Sequence, residues 1–274
     1  MDSFDEVNET RGVVLVSTSL NSGRGCLDHP AGILHALVAY FQFRGIEVIK
    51  YFAKKHLERL VGSKNALNFF FRIISQNGAR LYTRSGDIAF VYDPSEFIGR
   101  NIFENGEFQR AEIENVAKIA VTERRNGGVM LEIGANIGTS SIYAGLTGQF
   151  TKIVAVEADA RNFDLLCTNI RINNLQDIII PIYAGVSDHT GEGRLQRHAL
   201  HGGMSTLEPT EDFFARGTVS GEQTVSLRTA DDILKDAGIR PEDVTLVWMD
   251  IEGHEPKAFV GMSARYTTHP DLAG

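Results

Sequence analysis

The sequence contains few cysteines and no excess of basic residues, and both shortages narrow the classes of protein to which it can belong. Its 274 residues include two cysteines, Cys26 and Cys167. They lie far apart and show no metal-ligand spacing, which disfavours a disulfide framework or a zinc site and favours reduced thiols. Lysine and arginine number 27 against 35 aspartates and glutamates, so the net charge is −8. Because neutralising phosphates requires a surplus of basic residues, this balance disfavours a nucleic-acid partner.

Long hydrophobic runs are also missing. The longest apolar stretch, residues 33–43, is interrupted by His35 and Gln42 and is too short to span a bilayer. Residues 1–6 are acidic, where a secretory signal would be basic. We therefore expect a cytoplasmic protein without a membrane span. Its 43% hydrophobic and 23% charged residues are typical of an ordinary globular protein.

The first part of the chain predicts a small separate region. Residues 13–49 have the pattern of a strand, a helix and a second strand, and residues 54–76 have an apolar face at helical spacing. Two apolar runs in residues 80–91 flank a Ser-Gly-Asp turn, which predicts a β-hairpin. We assign residues 1–79 to an N-terminal α/β or helical cap and residues 80–274 to the main domain.

The main domain alternates strands and helices. This order predicts a parallel sheet covered by helices, a Rossmann-like, doubly wound α/β fold with right-handed crossovers. Residues 187–228 have a weaker pattern, with possible short strands at 194–195 and 224–227. The other predicted strands are 129–133, 152–156, 178–183 and 244–249, and the predicted helices are 111–121, 139–146, 160–172 and 230–237.

The segment from Leu131 to Thr139 joins a predicted strand to a predicted helix and is a candidate ligand loop. Gly134 and Gly138 let the backbone turn tightly and come close to a ligand. The following helix offers N–H groups and the positive end of its dipole to a carboxylate. A dinucleotide-binding fingerprint would require glycine at positions 134, 136 and 139, but Asn136 and Thr139 occupy the last two. A plain structural turn is the alternative.

The next predicted strand ends in an acid, Glu157. Ligands of open parallel sheets bind beyond the carboxyl ends of the strands, and an acid there can accept hydrogen bonds from both ribose hydroxyls. Glu157 follows Gly138 by roughly the 20 residues that one β-α-β step requires. A solvated acidic strand end is the alternative, which the glycine loop disfavours. Asp159 is predicted to cap the next helix.

A cluster of ionisable residues follows the last predicted strand. Asp250, Glu252, His254 and Glu255 stand just past that strand, and therefore at the same edge of the sheet. Three roles stay open for them: contacts to a substrate, including a general base, a divalent metal site, or a structural or cofactor-orienting role. We take Asp250, Glu252 and His254 as the catalytic candidates and assign no metal ligand.

Together these segments resemble the FkbM family of class I S-adenosylmethionine-dependent methyltransferases. The family pattern has a Gly-Ala-Asn-x-Gly loop, an acidic end of the second strand and a late Asp-x-Glu-Gly-x-Glu. The resemblance covers about residues 80 to 262. The residues that carry it are 131–139, Glu157, the Asn/Leu run of 162–173, 184–188 and 250–255.

The resemblance implies S-adenosyl-L-methionine as the cofactor and O-methylation of a hydroxyl, commonly on a sugar, a glycolipid or polysaccharide unit, or a natural product. It implies a small-molecule or glycan acceptor and leaves the oligomeric state open. Asp250 and Glu252 would face the methyl group or the acceptor. The implied cofactor residues are Glu132, Gly134, Asn136 and Gly138 around the methionine part, Glu157 at the ribose and Asp188 near the adenine.

The chain departs from the family after the acidic cluster. The class I fold continues there with a helix and three more strands, whereas residues 256–274 leave room for one helix and a tail. We therefore expect a sheet missing its last strands, with strand 244–249 as an exposed edge of the kind that natural sheets protect. A chain cut short relative to functional relatives is the favoured explanation; a shifted reading frame near Met262 or another covering element are the alternatives.

Two rival functions follow. One is a non-catalytic protein that keeps the cofactor site, which the short C-terminal part favours. The other is a nucleic-acid methyltransferase on the same fold. The acidic balance disfavours the latter, as does the absence of an Asn/Asp-Pro-Pro-Tyr sequence.

Overall fold

The computed structural model describes only part of the chain. The described residues are 12–16, 71–73, 75–76, 79–121, 127–198, 205–209 and 219–262, with the backbone alone for 12–16 and 220. The chain divides into two compact units, Met1–Gly106 and Glu107–Gly274. The domain boundary between residues 79 and 80 stays a prediction. No helix in the described ranges is long and apolar enough to cross a membrane.

The first unit contains a three-stranded sheet in the order β1-β2-β3. The predicted hairpin is confirmed, since β2 and β3 pair antiparallel around a turn in which Gly86 has a φ of +61°. The predicted strand at 13–16 is also confirmed, but its partner is the antiparallel β2. Residues 17–49 of the predicted β-α-β unit lie outside the described residues, as does most of the predicted helix 54–76. The elements are β1 (Gly12–Val16), β2 (Arg80–Ser85), β3 (Ile88–Tyr92) and α1 (Phe97–Asn105).

The second unit carries the predicted alternation of strands and helices. Two of its helices begin and end at the predicted residues, 139–146 and 160–172. In chain order its elements are α2 (Arg110–Ala120), β4 (Gly128–Ile133), α3 (Thr139–Leu146), β5 (Phe150–Glu157), α4 (Ala160–Ile172), β6 (Ile179–Tyr183), β7 (Gly185–Val186), β8 (Gly191–His198), β9 (Val219–Arg228), α5 (Ala230–Asp236), β10 (Val244–Met249) and α6 (Glu255–Val260).

The main sheet of this unit has four parallel strands in the order β10-β4-β5-β6. The order reverses between β4 and β10, so right-handed crossovers place α3 and α4 on one face and α5 on the other. Leu131 of β4, Ile233 of α5 and Ala258 of α6 share one buried core cluster. The predicted Rossmann-like α/β fold is confirmed. Among the described strands, β10 forms one edge of this sheet, as expected.

A second sheet in the order β7-β9-β8 lies in the region where the sequence showed little pattern. Strands β8 and β9 pair antiparallel over most of their length, and both are longer than the predicted short strands. In β8 the alternation of apolar and polar residues is weak, because Leu195 and His198 are its buried residues and the others are polar or glycine. Pairing with β9 holds this strand in place, and Arg194 contacts Glu222 across the pair at the surface, at 3.1 Å.

Candidate functional site

An open cavity of about 540 Å³ lies beyond the carboxyl ends of β4, β5 and β10. The strand order reverses between β4 and β10, and open α/β sheets bind ligands at this kind of switch point. The lining residues are Ile133, Gly134, Asn136, Val156, Glu157, Ala158, Asn162, Ala184, Gly185, Val186, Leu195, Ser205, Leu207, Asp250 and Ile251.

The structure brings only some of the residues suggested by the sequence to this cavity. The four that line it are Gly134, Asn136, Glu157 and Asp250. The five that lie outside its lining are Glu132, Gly138, Asp188, Glu252 and His254.

The glycine loop turns as predicted, but the atoms that approach its glycines belong to the protein. Gly134 has a φ of +88°, and a Cβ there would lie 2.1 Å from the carbonyl oxygen of Asp250. Gly138 has a φ of +89°, and a Cβ there would lie 2.6 Å from a methyl carbon of Leu166. Gly134 is therefore required both by its φ and by the close approach of a backbone oxygen, whereas Gly138 is required by its φ, because the Leu166 side chain can shift.

Asn136 links this loop to the acid at the end of β5. Its φ is +50°, a left-handed conformation that asparagine tolerates better than most residues. The side-chain Oδ1 accepts a hydrogen bond from the Ile137 N–H at 2.8 Å, which fixes the turn. The backbone N–H of Asn136 then donates to Glu157 Oε2 at 2.8 Å. The loop thereby orients the carboxylate of Glu157.

Glu157 is buried and still has acceptor capacity. Its Oε1 accepts from the Asp159 N–H at 2.7 Å, in addition to the bond from Asn136. A carboxylate has about four lone-pair positions, so both oxygens can take further donors from the cavity. Burial raises the pKa of Glu157 to about 7, although the backbone N–H groups favour the ionised form. An ionised acid held in this way can accept hydrogen bonds from a pair of hydroxyls.

Asp159 caps α4 as predicted and also holds the second sheet. Its Oδ1 accepts from the N–H groups of Arg161 at 2.8 Å and Asn162 at 3.4 Å. Arg197 of β8 forms a two-pronged ion pair with the same carboxylate, with Nη2 at 2.6 Å from Oδ1 and Nε bonded to Oδ2. Burial alone would raise the pKa of Asp159, but Arg197 and the Arg161 N–H hold it below its ordinary value. Arg197 is therefore linked to Glu157 through Asp159, whose carboxylate binds Arg197 and whose backbone N–H donates to Glu157.

Glu132 lies beneath the glycine loop and outside the lining of the cavity. Its side chain is almost fully buried, and its Oε2 accepts a hydrogen bond from the Ser141 hydroxyl at the start of α3. Burial raises the pKa of Glu132 to about 7, against the effect of hydrogen bonds from Ser141 and Ser140. The hydrogen bond to Ser141 makes Glu132 a support for the start of α3.

The acidic loop after β10 brings Asp250 to the cavity. Burial raises the pKa of Asp250, and the charge of Glu255 raises it further. The pKa of Glu252 is also raised, by burial and then by the charge of Asp250. Glu255 organises the loop, because its carboxylate accepts from the N–H groups of Ile251 at 3.1 Å and Gly253 at 2.9 Å. The sequence placed Glu255 in the cluster without assigning it this role.

His254 packs inside the protein, against Ser187. Its Nε2 lies 3.1 Å from the Ser187 hydroxyl. Its Nδ1 lies 3.3 Å from Glu208 Oε1 without hydrogen-bond geometry, a contact that is ionic only when the ring is protonated. Burial lowers the pKa of His254 and favours the neutral ring. Asp188 is exposed, and hydrogen bonds from His189 and Ser187 lower its pKa. The catalytic role of His254 and the adenine contact of Asp188 stay predictions.

One wall of the cavity consists of residues that the sequence did not single out. Leu195 belongs to the possible short strand predicted at 194–195, which is the one signal that pointed to it. Ser205 and Leu207 stand in a stretch rich in glycine, histidine and threonine without periodicity, so no local pattern predicted their position. In the part of the chain that the structure describes, no group of three or more His, Cys, Asp or Glu side chains is arranged to hold a metal ion.

Three solved structures show a partial similarity. An FkbM methyltransferase from Methylobacillus flagellatus KT is 22% identical, with a TM-score of 0.36 over 53% of this chain and 31% of that one. An O-methyltransferase from Bacillus cereus, in complex with SAH, is 25% identical, with a TM-score of 0.24 over 27% and 32%. A tRNA m1G37 methyltransferase from M. jannaschii is 20% identical, with a TM-score of 0.29 over 38% and 29%. The chain spans about a third of the length of these proteins, and similarities this partial carry no argument about function.

The family assignment comes from the sequence pattern of a known domain. The methyltransferase FkbM domain matches residues 132–269, just over half of the 274 residues. No curated protein matches the chain significantly. The matched range contains the residues around the cavity, from the glycine loop to the acidic loop after β10. The chain belongs to the FkbM family of methyltransferases.

Proposed function

We propose that the protein binds S-adenosyl-L-methionine in the cavity at the carboxyl ends of β4, β5 and β10 and transfers its methyl group to a hydroxyl. The acceptor is a sugar, a glycolipid or polysaccharide unit, or a natural product, as the family resemblance implies. The observation that carries the proposal is the placement of Glu157, a buried acid with further acceptor capacity that ends β5 and lines the cavity.

The residues of the cavity fit this cofactor. Glu157 provides the acceptor for the two ribose hydroxyls. Apolar side chains of Ala184, Val186 and Leu195 line the same cavity and suit a flat aromatic base. Among the predicted cofactor residues, Gly134 and Asn136 also line it, whereas Glu132 and Gly138 support the loop from behind. The proposed cofactor site therefore has a polar end and an apolar wall.

The cofactor, when bound, supplies a methyl group on a positively charged sulfur. Transfer to a hydroxyl oxygen is a displacement in which positioning provides most of the acceleration. The acceptor hydroxyl must also lose its proton, and Asp250 lines the cavity with a pKa raised by burial. A raised pKa makes a carboxylate a better general base near neutral pH. We assign that role to Asp250 and the role of holding the loop to Glu255, and Glu252 stays a candidate contact to the acceptor.

Methyl transfer from labelled S-adenosylmethionine to a panel of sugars, glycolipids and small hydroxylated compounds tests the proposal. Asp250→Asn is expected to lower the rate about 10²- to 10⁴-fold, the usual contribution of a general base. Its affinity for S-adenosylhomocysteine should change only a few-fold. Exposed Asp87→Asn is the control and should react like the wild type. Binding of the cofactor product without transfer to any hydroxyl would favour the non-catalytic alternative.

The cytoplasmic location stays a proposal from the sequence, as does the division into residues 1–79 and 80–274. The oligomeric state stays open. A nucleic-acid acceptor remains disfavoured by the net charge of −8, because phosphate contacts require basic residues.

A further inference from the structure

A short stretch, residues 205–209, closes one side of the cavity. We call it the 205–209 segment. Ser205 and Leu207 line the same cavity as Glu157 and Asp250, although they come from neither the main sheet nor the loops that follow its strands. The segment therefore adds side chains to the proposed cofactor site from outside the Rossmann-like framework.

The segment is held from two sides. Thr206 exchanges backbone hydrogen bonds with Gln196 of β8, at 2.9 and 3.0 Å, and the Thr206 hydroxyl donates to the carbonyl of Glu252 at 2.8 Å. Glu208 forms an ion pair with Lys257 of α6. One side of the segment is thus fixed to the second sheet and the other to the loop after β10. Its position relative to the cavity is consequently defined by several independent contacts.

The hydroxyl of Ser205 is buried without a partner. Its Oγ is shielded from solvent and has no hydrogen-bond partner among the residues that the structure describes. Leaving a buried polar group unpaired is destabilising, and such groups in native proteins call for an explanation, of which a ligand is one. Because Ser205 also lines the cavity, a ligand there can satisfy this hydroxyl.

We infer that Ser205 is a cofactor-binding residue, whose hydroxyl forms a hydrogen bond with a polar atom of bound S-adenosylmethionine. This inference rests on the proposed function. The 205–209 segment then serves as a positioning element, since Thr206 and Glu208 hold Ser205 at the cavity while their own side chains bond to the protein. The Ser205 hydroxyl thus adds a hydrogen-bond donor, from the segment that pairs with β8, to the acceptor that Glu157 provides.

The test is the affinity of the full chain for S-adenosylhomocysteine, measured by calorimetry in the wild type, Ser205→Ala and Ser226→Ala. Ser226 is exposed on β9 and is the matched control. Loss of one hydrogen bond should weaken binding about 3- to 10-fold in Ser205→Ala, with no change in Ser226→Ala. The melting temperature of the ligand-free Ser205→Ala variant should be equal to that of the wild type or higher, because the variant removes an unpaired buried hydroxyl.

Each outcome decides a different point. Wild-type affinity in Ser205→Ala would overturn the contact and leave the proposed function standing. A lower melting temperature in that variant would show that the hydroxyl has a structural partner, which also contradicts the inference. Absence of binding by folded wild-type protein would overturn the proposed function, and the contact with it.

Discussion

Replacement of Arg197 by alanine is expected to weaken cofactor binding, although Arg197 does not line the cavity. The reason is its two-pronged ion pair with Asp159, in which the side chains are 19% and 5% exposed. Removing one partner of a fully buried ion pair costs about 3–5 kcal/mol. Because a fifth of the Arg197 side chain reaches solvent, we expect a loss of about 2–3 kcal/mol in the free energy of unfolding.

The same change also acts on Glu157. The charge of Asp159 already raises the pKa of Glu157, which burial brings to about 7. Without Arg197, this charge is no longer balanced, so the pKa of Glu157 rises further and a larger fraction of Glu157 is protonated at pH 7.5. The other ionisable groups that act on this site are Glu132 of β4 and Tyr183 of β6, and both are unchanged in the variant. A rise of one pKa unit from about 7 lowers the ionised fraction of Glu157 at pH 7.5 about 3-fold, so we expect S-adenosylhomocysteine to bind about 3-fold more weakly at that pH.

A second substitution separates charge from packing. Asparagine is as good a helix cap as aspartate, so adding Asp159→Asn to Arg197→Ala removes the unbalanced charge and keeps the start of α4. The double variant should recover most of the affinity for S-adenosylhomocysteine at pH 7.5. Arg194→Ala is the control on the same strand, because Arg194 is 77% exposed and its pair with Glu222 is a surface pair worth about 0–1 kcal/mol.

The assay is calorimetric titration of each variant between pH 6 and 9, with urea unfolding measured in parallel. We expect the pH at which half of the affinity for S-adenosylhomocysteine is lost to be higher in Arg197→Ala than in the wild type. In the double variant it should return to the wild-type value. Equal pH profiles for Arg197→Ala and the double variant would refute the electrostatic link. An Arg197→Ala variant as stable as Arg194→Ala would refute the account of the ion pair itself.

Two further predictions concern stability. Burial raises the pKa of Glu132 from 4.5 to about 7, so the folded state holds this proton more tightly than the unfolded state, and stability falls as the pH rises through that window. Glu132→Gln should therefore reduce the pH dependence of urea unfolding between pH 5 and 8, of which Glu157 keeps a share, and stabilise the protein by roughly 2 kcal/mol at pH 8. A slope like that of the exposed control Glu192→Gln would contradict this. Gly134→Ala should unfold at least about 2 kcal/mol more easily than Gly148→Ala, since both glycines have a positive φ but only at Gly134 would a Cβ meet a backbone atom. Equal melting temperatures for the two alanine variants would show that the approach of the Asp250 carbonyl does not constrain the loop.

The parts of the fold that the sequence predicted are those in which local pattern and tertiary structure agree. Helix α4 begins after the Asp159 cap and keeps its apolar face, so its bounds followed from residues near in sequence. The strands of the main sheet are continuous apolar runs, as expected of parallel strands buried on both faces. The glycine loop and Glu157 were predictable for the same reason, because each follows directly from one of these strands.

The features that the sequence did not predict depend on contacts between distant residues. Strand β8 has little apolar alternation, and pairing with β9 defines it. The ion pair of Arg197 with Asp159 joins residues 38 positions apart, and neither residue carries a signal for the other. Glu132 stands in the glycine motif, yet its side chain accepts a hydrogen bond from Ser141 of α3 and does not line the cavity. Proximity in a motif therefore did not distinguish residues that line the site from residues that support it.

The most direct test of the central claim is calorimetric titration of S-adenosylhomocysteine into the wild type, Glu157→Gln and Glu192→Gln at pH 8. Hydrogen bonds to a charged group contribute about 1.5–3 kcal/mol, so Glu157→Gln should bind roughly 10- to 150-fold more weakly than the wild type. Glu192→Gln changes an exposed acid on β8 and should bind like the wild type. Wild-type affinity in Glu157→Gln, with all three proteins folded, would contradict the assignment of this cavity as the cofactor site.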